Sequence, residues 1–296
     1  MTTTTILTPE HIAPIRTLSL RARLIVEGMI AGMHKSPYHG FSAEFSEYRA
    51  YRSGESTRMI DWRKYAKSDR PVVRLFEDET NCQAHILIDK SASMGFASGK
   101  LMSKFEYART LAASIAWILI RQRDAVALAA FDEEVVTYLP PRSTNTQLKT
   151  IISSLDALVC SAPTRCGRTI DRLARGLKKR GMTIILSDFF DEPHDIINGL
   201  RHLRYKRQDV LCIWLLDPQE LSFSEKRSWL LRDSETGRTI TLDGRTAAEG
   251  LGHGLHLHRE RLLGACSELK IDFCTIRTDE PFVPALMRVL SSRGRR

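Results

Sequence analysis

Ala84-His85-Ile86-Leu87-Ile88-Asp89-Lys90-Ser91-Ala92-Ser93-Met94-Gly95 is a mostly apolar run that stops at an aspartate and turns through small hydroxyl residues. A short run of this kind bounded by turn residues is what a strand buried on both faces looks like. Downstream the same kind of run recurs at Ala125 to Phe131, Thr183 to Leu186, Val210 to Leu216 and Ile271 to Ile276. Between and after these strands, helical spacing predicts helices over Lys104 to Gln122, Thr146 to Leu158, Thr169 to Lys179, Pro193 to Tyr205, His256 to Lys270 and Pro281 to Ser291. Strand–helix alternation implies a mostly parallel sheet with helices on both faces. Val135 to Leu139 adds an antiparallel edge strand that Pro140-Pro141 is expected to close.

In such a sheet, ligands bind beyond the carboxyl ends of the strands. Three segments share that rim: Asp89 to Gly95, Ser187-Asp188, and Cys166-Gly167-Arg168-Thr169 ahead of a predicted helix. Alternate residues of an extended turn point the same way, so Asp89, Ser91 and Ser93 converge. A set of carboxylate and hydroxyl oxygens suits a hard divalent cation, Mg²⁺ or Mn²⁺, which takes about six oxygens. With few protein carboxylates the ion keeps net positive charge and an open position for a carboxylate of another protein. By the same alternation, the Lys90 side chain points away from the ion.

Upstream, Thr17 to Met33 reads as a helix, and Gly40 to about residue 80 as short strands and turns, with Tyr48, Tyr51 and Trp62 as its core and Glu44, Glu47, Arg49, Arg58 and Asp61 as an ion-pair network. The expected division is residues 1–80, an N-terminal helix and β-rich lead-in, and 81–296, the α/β domain. An insertion at about 218–253 carries a hairpin around Gly237.

The 296 residues are 43% hydrophobic and 27% charged, which is enough for a large core. No apolar run reaches the ~18 residues that a membrane span needs, and the N-terminus lacks a signal-peptide pattern. The six cysteines form no CxxC pair, which points to a reducing, cytoplasmic compartment. A net charge of +9 raises the alternative of a nucleic-acid-associated protein, but the basic residues are scattered and no recognition motif accompanies them. A hydrolase is the other alternative. Ser91 stands where a dehalogenase-type phosphatase needs a second acid, and Ser93 lacks the glycines of a nucleophile elbow. The expectation is a protein without enzymatic activity. His253, His256 and His258 are read as solvated or half-buried.

The segment Ile86 to Met94, with Asp89, Ser91 and Ser93, resembles the metal-ion-dependent adhesion site of von Willebrand factor A domains. The resemblance implies direct ligation by Ser91 and Ser93, ligation through water by Asp89, and matches for Thr169 in a second loop and Asp188 in a third. Thr164 is the less favoured threonine, because Gly167-Arg168-Thr169 at a helix start fits better. A narrower resemblance runs through His34, Ser36, Gly40, Glu44-Phe45, Glu47-Tyr48-Arg49, Tyr51, Gly54, Arg58 and Ile60-Asp61-Trp62, and through Leu216-Asp217-Pro218, Glu220, Thr278-Asp279 and Pro281. These residues look like the bacterial domain of unknown function number fifty-eight, a von Willebrand factor A-like family associated with MoxR-type AAA+ ATPases. That resemblance implies a metal-dependent adaptor or co-chaperone between such an ATPase and a client protein. Glu55 departs mildly from the family's aspartate after Gly54, and Lys90 puts a cation inside the metal turn.

Overall fold

The structure is a computed structural model. It describes residues 7–33, 48–50, 62, 65, 72–74, 82–160, 163–221, 228–232 and 237–291. Most of the lead-in, including its expected ion-pair network, lies outside the described residues.

Contacts divide the chain into Met1–Gly32 with Cys82–Arg296 as one unit and Met33–Asn81 as another. This differs from the expected grouping of residues 1–80, because the N-terminal helices belong to the main unit. Helix α1 (Pro9–Ile12) and helix α2 (Leu18–Met33) bury Ile12, Leu18 and Ile25 there. Arg21 of α2 donates to Glu106 at 2.9 Å and to the carbonyls of Ile15 and Ala13. Within the second unit, strands β1 (Tyr48–Ala50) and β2 (Val72–Arg74) pair antiparallel. Trp62 meets Tyr65 edge to face at 5.9 Å but leaves 57% of its surface exposed, so it is not a core residue.

The main unit is wound around six strands: β3 (Gln83–Asp89), β4 (Ala125–Phe131), β5 (Val135–Arg142), β6 (Gly181–Ser187), β7 (Gln208–Leu216) and, after the hairpin strands β8 (Trp229–Arg232) and β9 (Thr239–Leu242), β10 (Asp272–Arg277). Their spatial order is β10-β7-β6-β3-β4-β5. All neighbours are parallel except β4–β5. The order reverses at β3, so the carboxyl end of β3 is the switch point where such sheets bind ligands.

The helices follow their local signals. Helix α3 (Lys104–Arg121) opens with an N-cap: the Ser103 hydroxyl accepts from the Glu106 amide. Thr144 caps α4 (Asn145–Ala157) in the same way. Helices α5 (Cys166–Gly176), α6 (Pro193–Tyr205) and α8 (Gly244–Glu268) cover one sheet face, where Ile170, Leu200 and Leu262 pack on Leu87, Ile185, Cys212 and Trp214. On the other side lie α3 and α9 (Phe282–Ser291), with Tyr107 stacked on Phe282 at 4.2 Å. A short helix, α7 (Pro218–Leu221), follows β7.

Three departures from the expected boundaries change how the chain is divided. Strand β5 runs through Pro140-Pro141 to Arg142, pairing Val126 with Arg142 beyond a bulge. An edge strand tolerates prolines because its outward amides need no partner. Helix α8 begins at Gly244, capped by the Asp243 carboxylate on the Thr246 amide, so residues 244–253 are helix and not insertion. Helix α5 begins at Cys166, three residues before the expected start.

Candidate metal centre

Asp89 is the last residue of β3, and the chain leaves the sheet there in a tight turn. Its Oδ1 accepts the Ser91 amide at 2.8 Å, and its Oδ2 accepts the Ser187 hydroxyl at 2.6 Å. The short 3₁₀ turn Ala92–Gly95 follows. The hydroxyl oxygens of Ser91, just ahead of this turn, and Ser93, within it, stand 3.1 Å apart. The alternation read from sequence therefore places two hydroxyls together beside the Asp89 carboxylate.

Asp188 follows β6, the neighbour of β3, and is fully buried like Asp89. The carboxylates are electrostatic neighbours. Burial first, then the Asp188 charge, pushes the Asp89 carboxyl up to about 7, against the opposing hydrogen bonds from Ser187 and Ser91. Chain reversal after Asp188 puts Phe189 in the left-handed region at φ 50°. That conformation is held at both ends. The Phe189 amide donates to the Ser187 hydroxyl at 2.8 Å, and its carbonyl accepts His258 Nε2 at 2.9 Å. His258 thus has a structural role, and His253 and His256 are exposed on α8.

The two candidate threonines have different surroundings. Thr169 lies within α5, and its hydroxyl donates to the Glu133 carbonyl at 3.1 Å. Thr164 lies in the loop ahead of α5 and lines a depression with Phe190, Asp191, Glu192 and His258. Val159 and Cys160, just after α4, lie against the aspartate turn. Lys90 Nζ donates to the Val159 carbonyl at 3.5 Å, and a Cβ on Gly95 would sit 3.6 Å from Cys160 Cβ.

Lys90 turns to the end of β4, where Nζ lies 2.6 Å from Asp132 Oδ2. Burial is the largest single influence and works against the Asp132 charge, but the hydrogen bond and charge of Lys90 and the backbone amides of Glu133 and Glu134 together outweigh it and hold this carboxyl below its ordinary value. A second buried lysine was not singled out from the sequence. Lys104, the first residue of α3, has no exposed surface and pairs with Asp188 at 2.8 Å and Glu220 at 2.6 Å. Glu220 also accepts the Asp217 amide at 2.8 Å, and Asp217 accepts the Ser98 amide at 2.9 Å and the Thr278 hydroxyl at 3.5 Å. The late motifs around Asp217 and Thr278 therefore brace the rim.

The donor set suits a hard cation. It consists of Asp89 and Asp188 carboxylates with serine hydroxyls, and the nearby Cys160 thiol is pushed up to about 12, chiefly by burial and then by Asp89. No group of three His, Cys, Asp or Glu side chains poised for a metal occurs among the described residues, so a centre here depends on hydroxyl oxygens. Two neighbouring buried carboxylates, one with a raised pKa, are what a divalent charge would relieve.

Comparison with known proteins finds relatives that span nearly the whole chain. An uncharacterized protein of Mycobacterium tuberculosis (strain ATCC 25618 / H37Rv) is 26% identical over 295 residues, covering 97% of this chain and 91% of the relative. An uncharacterized protein of Mycobacterium avium is 31% identical over 130 residues, 43% of this chain and 74% of the relative. Similar solved structures include the conserved hypothetical protein BatB from Bacteroides thetaiotaomicron, with a TM-score of 0.46 at 15% identity over 73% of this chain and 100% of that one. The SpRpn10 VWA domain matches with a TM-score of 0.42 at 13% identity over 70% and 94%. The fold is a mostly parallel six-stranded sheet between helices. Among the described residues no helix is long and apolar enough to cross a membrane. The family model described as "Protein of unknown function DUF58" matches residues 47–249, more than half of the sequence and inclusive of the aspartate turn, so the chain belongs to the DUF58 family.

Proposed function

We propose that this chain is a non-enzymatic protein-binding module whose grip on its partner depends on Mg²⁺ or Mn²⁺. One observation carries the reading: the Asp89 turn brings the Ser91 and Ser93 hydroxyls to 3.1 Å from each other, beside the carboxylates Asp89 and Asp188 at the switch point. Ser91 and Ser93 would hold the ion directly. Asp89 and Asp188 would orient its water shell, and Thr164 or Thr169 would complete it. Bound there, the ion would offer an open Lewis-acid position to a carboxylate of another protein. Ser187 keeps Asp89 oriented from the adjacent strand, and Lys90 is committed to Asp132. The adaptor role beside a MoxR-type AAA+ ATPase, with a client protein as the second partner, rests on the family resemblance of the lead-in.

Calorimetric titration of Mg²⁺ and Mn²⁺ into wild type and Asp89→Ala is the test. Saturable heat in the wild type and none in Asp89→Ala is expected, and no heat in either sinks the reading. Pull-down from the source cell with metal present and chelated then identifies partners that depend on the ion.

The two threonines separate in the same assay. Thr164→Val is expected to weaken Mg²⁺ binding about tenfold, the scale of losing an oxygen partner at a metal site. Thr169→Val removes the donor to the Glu133 carbonyl, so it is expected to cost ~1 kcal/mol of stability and change Mg²⁺ affinity little. The reverse ranking would return the threonine role to Thr169.

A further inference from the structure

Lys104 is the feature that the metal reading leaves unexplained. Its ammonium is fully buried at the N-terminal end of α3, where the helix dipole disfavours a cation. Burial of an ammonium is costly unless opposite charges surround it. Asp188 Oδ2 at 2.8 Å, Glu220 Oε1 at 2.6 Å and the Phe190 ring face, whose centroid is 4.8 Å away, do so. The remaining oxygen of Asp188, Oδ1, accepts the Phe190 amide at 3.3 Å. Both oxygens of the third-loop carboxylate are thus engaged from within the protein.

We propose that Lys104 is a built-in counter-ion that competes with the divalent cation for Asp188 and so sets how tightly the centre binds metal. The proposal rests on the metal reading above. The ammonium and the divalent ion repel each other while both seek the same carboxylate, so the ion binds against a charge already in place. Glu220 gives the displaced ammonium a second seat. Glu220 belongs to α7, directly after β7, so metal entry shifts the lysine's charge toward the start of the insertion. The outcome is a centre that is held together without metal and responds to cation concentration, with Lys104 acting as a positioning residue through Asp188.

The test compares wild type with the double variant Lys104→Gln/Glu220→Gln. Lys104→Gln alone leaves two buried carboxylates uncompensated and invites unfolding. The double variant removes one charge of each sign, so the group keeps its net charge while Asp188 is released. Calorimetry with Mg²⁺ is expected to show a Kd at least about tenfold tighter in the double variant, while its thermal stability without metal falls. A structural role alone lowers stability and does not tighten metal binding. An unchanged or weaker Kd in the folded double variant overturns the counter-ion role while the metal reading stands. No binding of Mg²⁺ or Mn²⁺ by either protein overturns the metal reading and this inference together. If circular dichroism shows the double variant unfolded, ¹⁵N-lysine-labelled wild type decides the question. The Lys104 ammonium resonance is expected to move as Mg²⁺ is added, and a resonance unmoved at saturation overturns the proposal.

Discussion

Asp89→Asn is expected to melt higher than wild type at pH 8 in the presence of chelator and to lose any stabilisation by Mg²⁺. The Asp89 carboxyl is raised from 3.8 to about 7 by burial and by Asp188. A carboxyl with a folded pKa above its unfolded value makes the native state the better proton binder. Its contribution to stability is fully present below the unfolded value and is lost as pH rises from about 4 through 7. Without metal, the ionised carboxylate at pH 8 therefore costs the folded protein about 4 kcal/mol at most. Asparagine removes that cost and preserves the hydrogen bonds. Its oxygen accepts the Ser91 amide, and its amide donates to the Ser187 hydroxyl, which is then free to turn toward Cys166 Sγ at 3.8 Å. A rise of about 3–8 °C at pH 8, shrinking as pH falls and approaching zero only below about pH 4, is the expected scanning-calorimetry result. A variant that melts below wild type across this range would show that the ionised carboxylate is stabilised by its surroundings.

Gly167→Ala is expected to destabilise the protein by about 2–4 kcal/mol and to weaken the response to Mg²⁺. A Cβ at Gly167 would lie 2.3 Å from the Asp195 carbonyl carbon and 2.4 Å from the Ile196 nitrogen. These are backbone atoms of α6, so no side chain can turn aside and the two helices must separate. Gly199 faces the same seam, where an added Cβ would lie 2.7 Å from the Gly167 carbonyl oxygen. Displacement of α5 also breaks the bond from the Gly167 amide to Asp191 Oδ2 at 3.0 Å and shifts Thr164, which lies just ahead of the helix. Gly176→Ala, at the other end of α5, is the control. Nothing lies within 4 Å of its Cβ, so a neutral effect or a gain of ~0.5–1 kcal/mol is expected. Urea denaturation of the two variants checks both halves. Equal stabilities would mean that the helices adjust without cost.

Much of the fold was legible because its signals are local. Strand β4 has the bounds read from Ala125 to Phe131, and α6 those read from Pro193 to Tyr205. Both are continuous patterns with clear punctuation at each end. Where a start signal is missing, the reading slipped. The residue before α5, Arg165, makes no side-chain cap, so Thr169 looked like the helix start. In α8 the cap at Asp243 is present, but Gly250, Gly252 and Gly254 dilute the helical pattern, and the start was read twelve residues late, at His256.

The sequence by itself determined the alternating α/β order and the aspartate–serine turn at the end of β3, because both are written in neighbouring residues. It also carried the family membership, through short motifs that need no folded context. Tertiary structure alone decided what surrounds the turn. Asp188 is separated from Lys104 by 84 residues, and Glu220 by 116. A buried charge is tolerated only where opposite charges arrive from elsewhere in the fold, and no local pattern announces them. The same holds for Lys90, whose placement beside Asp132 depends on the parallel register that sets Asp89 against Phe131. The turn is thus local chemistry, and its electrical environment is a property of the assembled sheet.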